Sequence, residues 1–179
     1  MFRGRIGWVL RRCQKASYRS DIHDGAALSC GFAAACKPGG GDAECVGDGY
    51  WFLDRATKYA NERQVFGRPI GQNQGIQFPL AEAFIELEAA SLMRYRACEL
   101  FDAGLACGSE ANMSKLLAAD ASWEAANVCL QTHGGFGFAS EYDVERKFRE
   151  TRLYQVAPIS TNLIYAYMAE HVLGLPKSY

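Results

Sequence analysis

The feature that most constrains this chain is the helical spacing of its apolar residues from Glu44 to Tyr179. Apolar side chains recur every three to four residues in several long segments, which is the period of an amphipathic helix. Glycine and proline fall near the ends of these segments, where they terminate helices. No segment of this region has a competing strand pattern. The spacing therefore predicts an all-α fold, an antiparallel (up-down) four-helix bundle.

The same spacing bounds the individual helices. Helices are predicted over residues 44–62, about 75–102, 109–134 and 158–174, with a short charged helix over 142–151. Ser109 is the expected N-cap of the third long helix, and Pro158 occupies the expected first position of the last one. The second helix is predicted to carry one apolar stripe, formed by Ile76, Leu80, Phe84, Leu87, Tyr95 and Cys98.

Residues 1–43 have a different composition. The first 20 residues hold six basic side chains and no acid, whereas the remaining 159 hold 13 basic and 20 acidic ones. The breaker Lys37-Pro38-Gly39-Gly40-Gly41 then precedes the helical region. We interpret residues 1–43 as a poorly ordered leader and residues 44–179 as the domain. A mitochondrial presequence or a small substrate-side module are the alternatives, so the expected location is cytoplasmic, or the mitochondrial matrix if the leader is a presequence.

Composition excludes several classes of function. A net charge of −1 is unlike the basic balance of nucleic-acid-binding domains. The seven cysteines include no C-x-x-C pair, and the chain has no Glu-x-x-His motif, which argues against zinc, redox and di-iron sites. No apolar run reaches the roughly 18 residues that a membrane helix needs. We therefore expect no metal, no nucleic acid and no membrane span.

Two loops carry residues suited to ligand binding. The first contains Arg63, whose planar guanidinium can donate paired hydrogen bonds to a pyrophosphate, beside Phe66. The second is Gln131-Thr132-His133-Gly134-Gly135-Phe136-Gly137, in which glycines would let the backbone approach a ligand. Each loop alone also has a structural interpretation, as a solvated turn and as a glycine C-cap. His133 is interpreted as a structural turn residue.

Taken in order, these motifs resemble the C-terminal helical domain of acyl-CoA dehydrogenases over about 135 residues. The series is Tyr59-Ala60-x-x-Arg63-x-x-Phe66-Gly67, Gln74, a long helix, Gln131-x-x-Gly134-Gly135-x-Gly137 and Arg149-x-x-Arg152-Leu153-Tyr154-Gln155. The resemblance implies that FAD is the cofactor. The cofactor-contacting residues it implies are Arg63 on the pyrophosphate, Phe66, Gln74, Gln131, Gly134, Gly135, Ser160 and Asn162, with the glycine loop reaching a cofactor held mainly by a neighbouring subunit.

The resemblance also implies an activity and partners. The activity is FAD-dependent α,β-dehydrogenation of an acyl-CoA thioester, in a homodimer or homotetramer that passes electrons to an electron-transfer flavoprotein. The two positions where the family places its catalytic glutamate hold Pro158 and Lys37 here, and Glu44 is the nearest acid to Lys37. The catalytic residue is therefore unassigned, and we expect the isolated chain to be inactive. The alternative hypothesis is a non-catalytic helical oligomerisation module derived from the family.

Overall fold

The computed structural model describes residues 41–157 and 159–177, which are mostly helical. Its helices are α1 (Gly41–Glu62), α2 (Gln74–Asp102), α3 (Gly108–His133), α4 (Val144–Arg152) and α5 (Thr161–Tyr167), the last continuing as a π-helical turn over Met168–Val172. Two-residue strands, β1 (Gln64–Val65) and β2 (Arg68–Pro69), pair antiparallel. Short 3₁₀ turns cover Ile70–Gln72, Gly134–Phe138, Ser140–Tyr142 and Leu153–Gln155.

The all-α prediction is confirmed, although the count of four bundle helices is approximate. Three long helices form the body, and α3 packs against both α1 and α2. The fourth predicted helix consists of α5 and its π-helical turn, which together are much shorter than the other three. The leader predicted at residues 1–43 lies almost entirely outside the described residues.

Small side chains bring the long helices close together. The buried residues of the core include Ala56 of α1, Ala83 and Ala90 of α2, and Ala118 and Ala125 of α3. At one point a leucine fills the space above a glycine: a Cβ added to Gly49 would lie 2.3 Å from Leu87 Cδ2. Leu87 is itself fully buried. Helix backbones that approach this closely leave no room for larger side chains at the contact.

The apolar stripe predicted for α2 is largely wrong. The buried residues of this helix are Ala83, Leu87, Ala90, Ser91, Ala97 and Leu100, so only Leu87 belongs to both sets. Phe84 is 39% exposed, and Leu80 is partly buried against the core. The reason is that the facing surface of α3 is built mainly of alanine and serine. A close contact of this kind selects small residues, and the large apolar side chains of α2 lie on its other faces.

Helix ends differ from the prediction by a few residues. Ser109 is not an N-cap: α3 begins at Gly108 after Cys107, and no side chain caps it. Gly108 lies against the Tyr167 hydroxyl of α5, which would be 2.9 Å from an added Cβ. Helix α3 thus begins one residue earlier than predicted, at the residue that contacts α5. The short charged helix begins at Val144 after Asp143, which has a left-handed backbone. The last helix begins at Thr161, and Pro158 lies outside the described residues.

Within residues 41–157 and 159–177, none of the helices combines the length and apolarity needed to cross a membrane.

Candidate functional site

The C-terminal ends of α1 and α3 meet around an open groove of about 480 Å³. One wall comes from the end of α1 and the loop after it, and the other from the end of α3. The lining residues are Tyr59, Arg63, Val65, Ile70, Gln131, Thr132, His133, Gly134, Gly135 and Phe136. The fold therefore brings together four of the predicted site residues, Arg63, Gln131, Gly134 and Gly135, from segments that are far apart in sequence.

The hairpin between α1 and α2 holds Phe66 at its tip. Gln64 pairs with Pro69 and Val65 with Arg68, which leaves Phe66 and Gly67 as the two turn residues. Both have positive φ, 53° and 75°, as a type I′ turn requires. A left-handed backbone is unfavourable for a phenylalanine, and the ring is fully exposed. Phe66 therefore adopts a strained conformation without burying its ring against the described residues, which leaves the ring accessible to a ligand.

Backbone and side-chain hydrogen bonds fix the path of this loop. Ile70 N donates to Arg63 O at 2.9 Å, and the Asn73 amide donates to Ile70 O at 2.9 Å. Arg68 donates to Asn73 Oδ1 at 3.0 Å. Gln74 is exposed as the first residue of α2, beyond the loop, and it does not line the groove. The loop thus presents Arg63 to the groove but leaves Gln74 outside it.

The three glycines at the end of α3 differ in whether the structure requires a glycine at their position. Gly134 has a φ of 57°, which favours glycine for backbone reasons. Gly137 is sterically required, since an added Cβ would lie 2.8 Å from Leu130 Cδ1 and 3.1 Å from Leu130 O. Gly135 has neither reason: its φ is not positive, and an added Cβ would meet no atom within 4 Å. The open space above Gly135 is part of the groove and lets a ligand approach the backbone.

Aromatic rings form the floor of the groove. Tyr59 stacks on His133 with ring centroids 4.3 Å apart, and Phe136 and Tyr142 pack around this pair. Tyr59 and Phe136 belong to the sequence motifs, but the family resemblance does not assign them to the cofactor site. The signal for Tyr59 was available, because a residue four positions before Arg63 lies on the same helical face.

His133 has the properties of a structural residue. It is buried, and its Nδ1 lies 2.8 Å from Cys129 O, a distance at which the ring donates to the carbonyl. Burial lowers the pKa of His133 below its ordinary value, which favours the neutral ring. Its stacking on Tyr59 holds the end of α3 against the end of α1. His133 is the last residue of α3 and not a turn residue, but this geometry supports the structural role expected of it.

The groove favours an anion. Arg63 is exposed at its edge, with the guanidinium carbon 5.5 Å from the centre of the Phe136 ring. None of the lining residues is acidic, and no carboxylate in the described part of the chain forms an ion pair with Arg63. The guanidinium is therefore positioned by a ring and keeps its hydrogen-bond donors for a ligand.

Ser160 and Asn162 are not part of this groove. They lie at the start of α5, which packs beside the N-terminal half of α3, where Tyr167 contacts Gly108. Just before them, Tyr154 O accepts a hydrogen bond from Lys115 Nζ at 2.7 Å. The groove is instead at the C-terminal end of α3. The predicted cofactor-contacting residues therefore form two separate groups.

Glu44, the nearest acid to Lys37 in the sequence, is exposed in the first turn of α1 and does not line the groove. The buried acid nearby is Asp42, which accepts a hydrogen bond from Ser114 at 3.0 Å. Burial raises the pKa of Asp42 to about 6. Asp42 and the groove are at opposite ends of α1, roughly 30 Å apart at 1.5 Å per residue. Asp42 therefore cannot act on a molecule in the groove, and Lys37 and Pro158 lie outside the described residues.

The fold and the groove define a helical domain in which the ends of two helices form an open groove with no acidic lining residue. A family model described as "Acyl-CoA dehydrogenase, C-terminal domain" matches residues 43–171. The chain belongs to the acyl-CoA dehydrogenase family.

Similar proteins agree with this assignment. An acyl-CoA dehydrogenase of Mycobacterium tuberculosis, FadE12, is 41% identical over 141 residues, which cover 78% of this chain and 36% of the relative. A glutaryl-coenzyme A dehydrogenase in complex with glutaryl-CoA matches with a TM-score of 0.77 and 32% identity, covering 86% of this chain and 38% of that one. The FAD complex of PigA matches with a TM-score of 0.75 and 27% identity, covering 84% and 39%. The chain thus spans just over a third of the length of these proteins.

Proposed function

We propose that this chain is the cofactor-contacting helical domain of an FAD-dependent acyl-CoA dehydrogenase. The observation that carries the proposal is the groove, in which Arg63, Gly135 and Phe136 converge without any carboxylate. A guanidinium that forms no ion pair with the described residues, an open backbone and an aromatic face are what a dinucleotide needs at its pyrophosphate and ring portions. The residues present therefore fit FAD.

Each residue has a distinct proposed role. Arg63 donates to the pyrophosphate, and Gln131 offers a donor and an acceptor at the opposite wall. The backbone at Gly134 and Gly135 lies against the cofactor, and the exposed ring of Phe66 packs on it. When bound, FAD supplies the acceptor for the hydride that leaves the β-carbon of an acyl-CoA.

The separation of the two groups of residues supports an oligomer. Ser160 and Asn162 lie away from the groove, so each group would contact a different FAD molecule. In a homodimer or homotetramer, the groove of one copy would contribute residues to an FAD site that is formed mainly by another copy. Gln74, exposed beyond the hairpin, would reach the adenosine half of that cofactor.

The complete reaction is proposed for the whole enzyme only. Acyl-CoA as substrate and an electron-transfer flavoprotein as electron acceptor follow from the family and not from the groove. Proton abstraction needs a base, worth on the order of 10²–10⁴-fold in rate. Since no carboxylate lines the groove, we predict that the isolated chain binds cofactor without dehydrogenating an acyl-CoA.

The test compares two arginines of the same loop. Arg63→Ala should weaken FAD binding at least about tenfold, because hydrogen bonds to a charged group contribute roughly 1.5–3 kcal/mol. Arg68→Ala removes the same charge but only a bond to Asn73, so it should change binding by a few-fold at most. Both are measured by fluorescence titration of FAD at one salt concentration, because the arginine contribution is screened.

A second candidate function is a non-catalytic oligomerisation module. Large exposed apolar side chains on α2, including Phe78, Ile85 and Leu92, favour it. It would be preferred if the wild-type chain associates but shows no saturable FAD binding. Equal effects of Arg63→Ala and Arg68→Ala would also argue against a specific pyrophosphate contact.

A further inference from the structure

The segment that connects α4 to α5 is tied to α3 by side-chain hydrogen bonds. Lys115 Nζ donates to Tyr154 O at 2.7 Å. One helical turn further along α3, Gln155 Nε2 donates to Ala119 O at 3.0 Å and to Asp120 Oδ1 at 3.1 Å. Two consecutive residues of the segment are therefore held by two consecutive turns of α3.

Apolar burial contributes less to holding this segment, which we call the 153–157 turn. Leu153 and Val156 are both 58% exposed, and the Tyr154 ring is only partly buried against the core. The amides of Val156 and Ala157 donate to Leu153 O, which closes the turn locally but does not attach it to the bundle. The side-chain bonds to α3 therefore fix where the turn lies.

Lys115 is an unusual residue for its position. It is only 7% exposed, and lysine is rarely buried without a carboxylate partner. Lys115 forms no ion pair with the described residues, although Asp42 lies close enough to attract its charge. Burial lowers the pKa of Lys115, because the charged form loses water. An apolar side chain would avoid this cost, so packing alone does not account for a lysine here.

The 153–157 turn leads to Ser160, a few residues after Tyr154. Ser160 O accepts hydrogen bonds from the amides of Leu163 and Ile164 at the start of α5. The Ser160 hydroxyl does not cap the helix, which leaves it to face a ligand. Its position depends on where the turn before it is held.

We propose that Lys115 and Gln155 are positioning residues for the second group of cofactor-contacting residues, Ser160 and Asn162. They act through the 153–157 turn and do not touch the cofactor. The proposal rests on the proposed function, in which Ser160 and Asn162 contact a different FAD molecule from the groove. The groove itself does not depend on Lys115, because it lies at the C-terminal end of α3.

The first experiment measures hydrogen exchange of the full 179-residue chain without FAD, by mass spectrometry. Peptides covering residues 153–164 report on the turn and the start of α5, and peptides covering residues 63–70 report on the hairpin. Lys115→Met should make residues 153–164 exchange several-fold faster and leave the hairpin unchanged, because only the turn is released from α3. Gln155→Leu should produce the same pattern to a smaller degree.

Lys147→Met is the matched control. Lys147 is a partly buried lysine of α4 that bonds to Asp48 at 2.6 Å and not to the 153–157 turn. This variant should not speed exchange in residues 153–164 more than in the hairpin. Equal acceleration of all peptides in Lys115→Met, or of none, would overturn the positioning role. Circular dichroism checks folding, and if Lys115→Met does not fold, Gln155→Leu decides by the same criterion.

The second experiment tests whether Lys115 acts through Ser160. FAD titration compares Ser160→Ala in the wild type with Ser160→Ala in Lys115→Met. The substitution should weaken binding several-fold in the wild type but less than about twofold beside Lys115→Met, because the hydroxyl is then no longer held in place. Arg63→Ala should have the same effect in both backgrounds. Equal losses from Ser160→Ala in both backgrounds would contradict the proposal.

The two experiments distinguish this proposal from the proposed function. Absence of saturable FAD binding by the wild type would contradict the proposed function, while hydrogen exchange would still decide whether Lys115 holds the turn. Normal FAD binding with unchanged exchange in Lys115→Met would leave the proposed function standing and overturn the positioning role.

Discussion

The helix contacts of the core and the groove at the end of α3 use small residues in opposite ways. In the core, small residues are required because another side chain occupies the space beside them. Leu87 lies where a side chain on Gly49 would be. In the groove, packing within the described chain does not require a glycine at position 135, because a Cβ added there would meet no atom within 4 Å. Because Gly135 also lines the groove, the open space beside it is where a ligand can approach the backbone. The comparison predicts that core substitutions change stability and groove substitutions change binding.

The largest effect is expected in the core. Leu87→Ala removes a fully buried side chain that packs on Gly49. Truncations of this kind destabilise proteins by about 2–5 kcal/mol. Urea denaturation should show this loss, while FAD affinity of the folded fraction stays unchanged. A loss below about 1 kcal/mol would mean that the contact between α1 and α2 is looser than described.

The next effect concerns the buried charge at the end of α1 opposite the groove. Burial raises the pKa of Asp42 from 3.8 to about 6. Between about pH 4 and pH 6 the Asp42 carboxyl group is ionised in the unfolded chain but still protonated in the folded chain. The free energy of unfolding therefore falls as pH rises through this range and stays lower above it. The full loss is on the order of 3 kcal/mol.

Asp42→Asn should remove this pH dependence. We expect the variant to be more stable than the wild type at neutral pH and equally stable below pH 4, as measured by urea denaturation across the range. Glu44→Gln, at an exposed position of the same turn, is the control and should change little. A variant that is less stable at neutral pH would show that the carboxylate is needed in its charged form.

A smaller effect separates two neighbouring glycines. Gly137→Ala forces a Cβ to within 3.1 Å of Leu130 O, and overpacking costs about 1–3 kcal/mol. Gly135→Ala should leave stability within about 0.5 kcal/mol, because the new methyl group meets no atom. FAD titration should show the reverse order, with binding weakened several-fold by Gly135→Ala. Unchanged binding in that variant would mean that no ligand approaches Gly135.

The smallest effect on stability is expected at the hairpin tip. Phe66→Asn gives the turn the Asn-Gly sequence that type I′ turns prefer. It should therefore stabilise the chain by up to about 1 kcal/mol, as judged by the melting temperature. The same substitution should weaken FAD binding, because the exposed ring is lost. A destabilised variant with normal binding would assign Phe66 a structural role instead.

Local chemistry accounts for what could be predicted from the sequence. The helical period gave the all-α class and approximate helix ends, since hydrogen bonding within a helix involves near neighbours in sequence. The chemistry of Arg63 and the glycine loop indicated a pyrophosphate-type ligand. The sequence also places Tyr59 on the same helical face as Arg63.

Tertiary structure decided the rest, because burial depends on which surface packs against another. The face of α2 that enters the core was mispredicted because alanine-rich α3 accepts only small residues there. The separation of Ser160 and Asn162 from the groove depends on where α5 packs along α3. The raised pKa of Asp42 likewise requires its burial beside Ser114. The residues of this chain therefore specify its helices and its binding chemistry, while the packing of those helices determines which of these residues can act together.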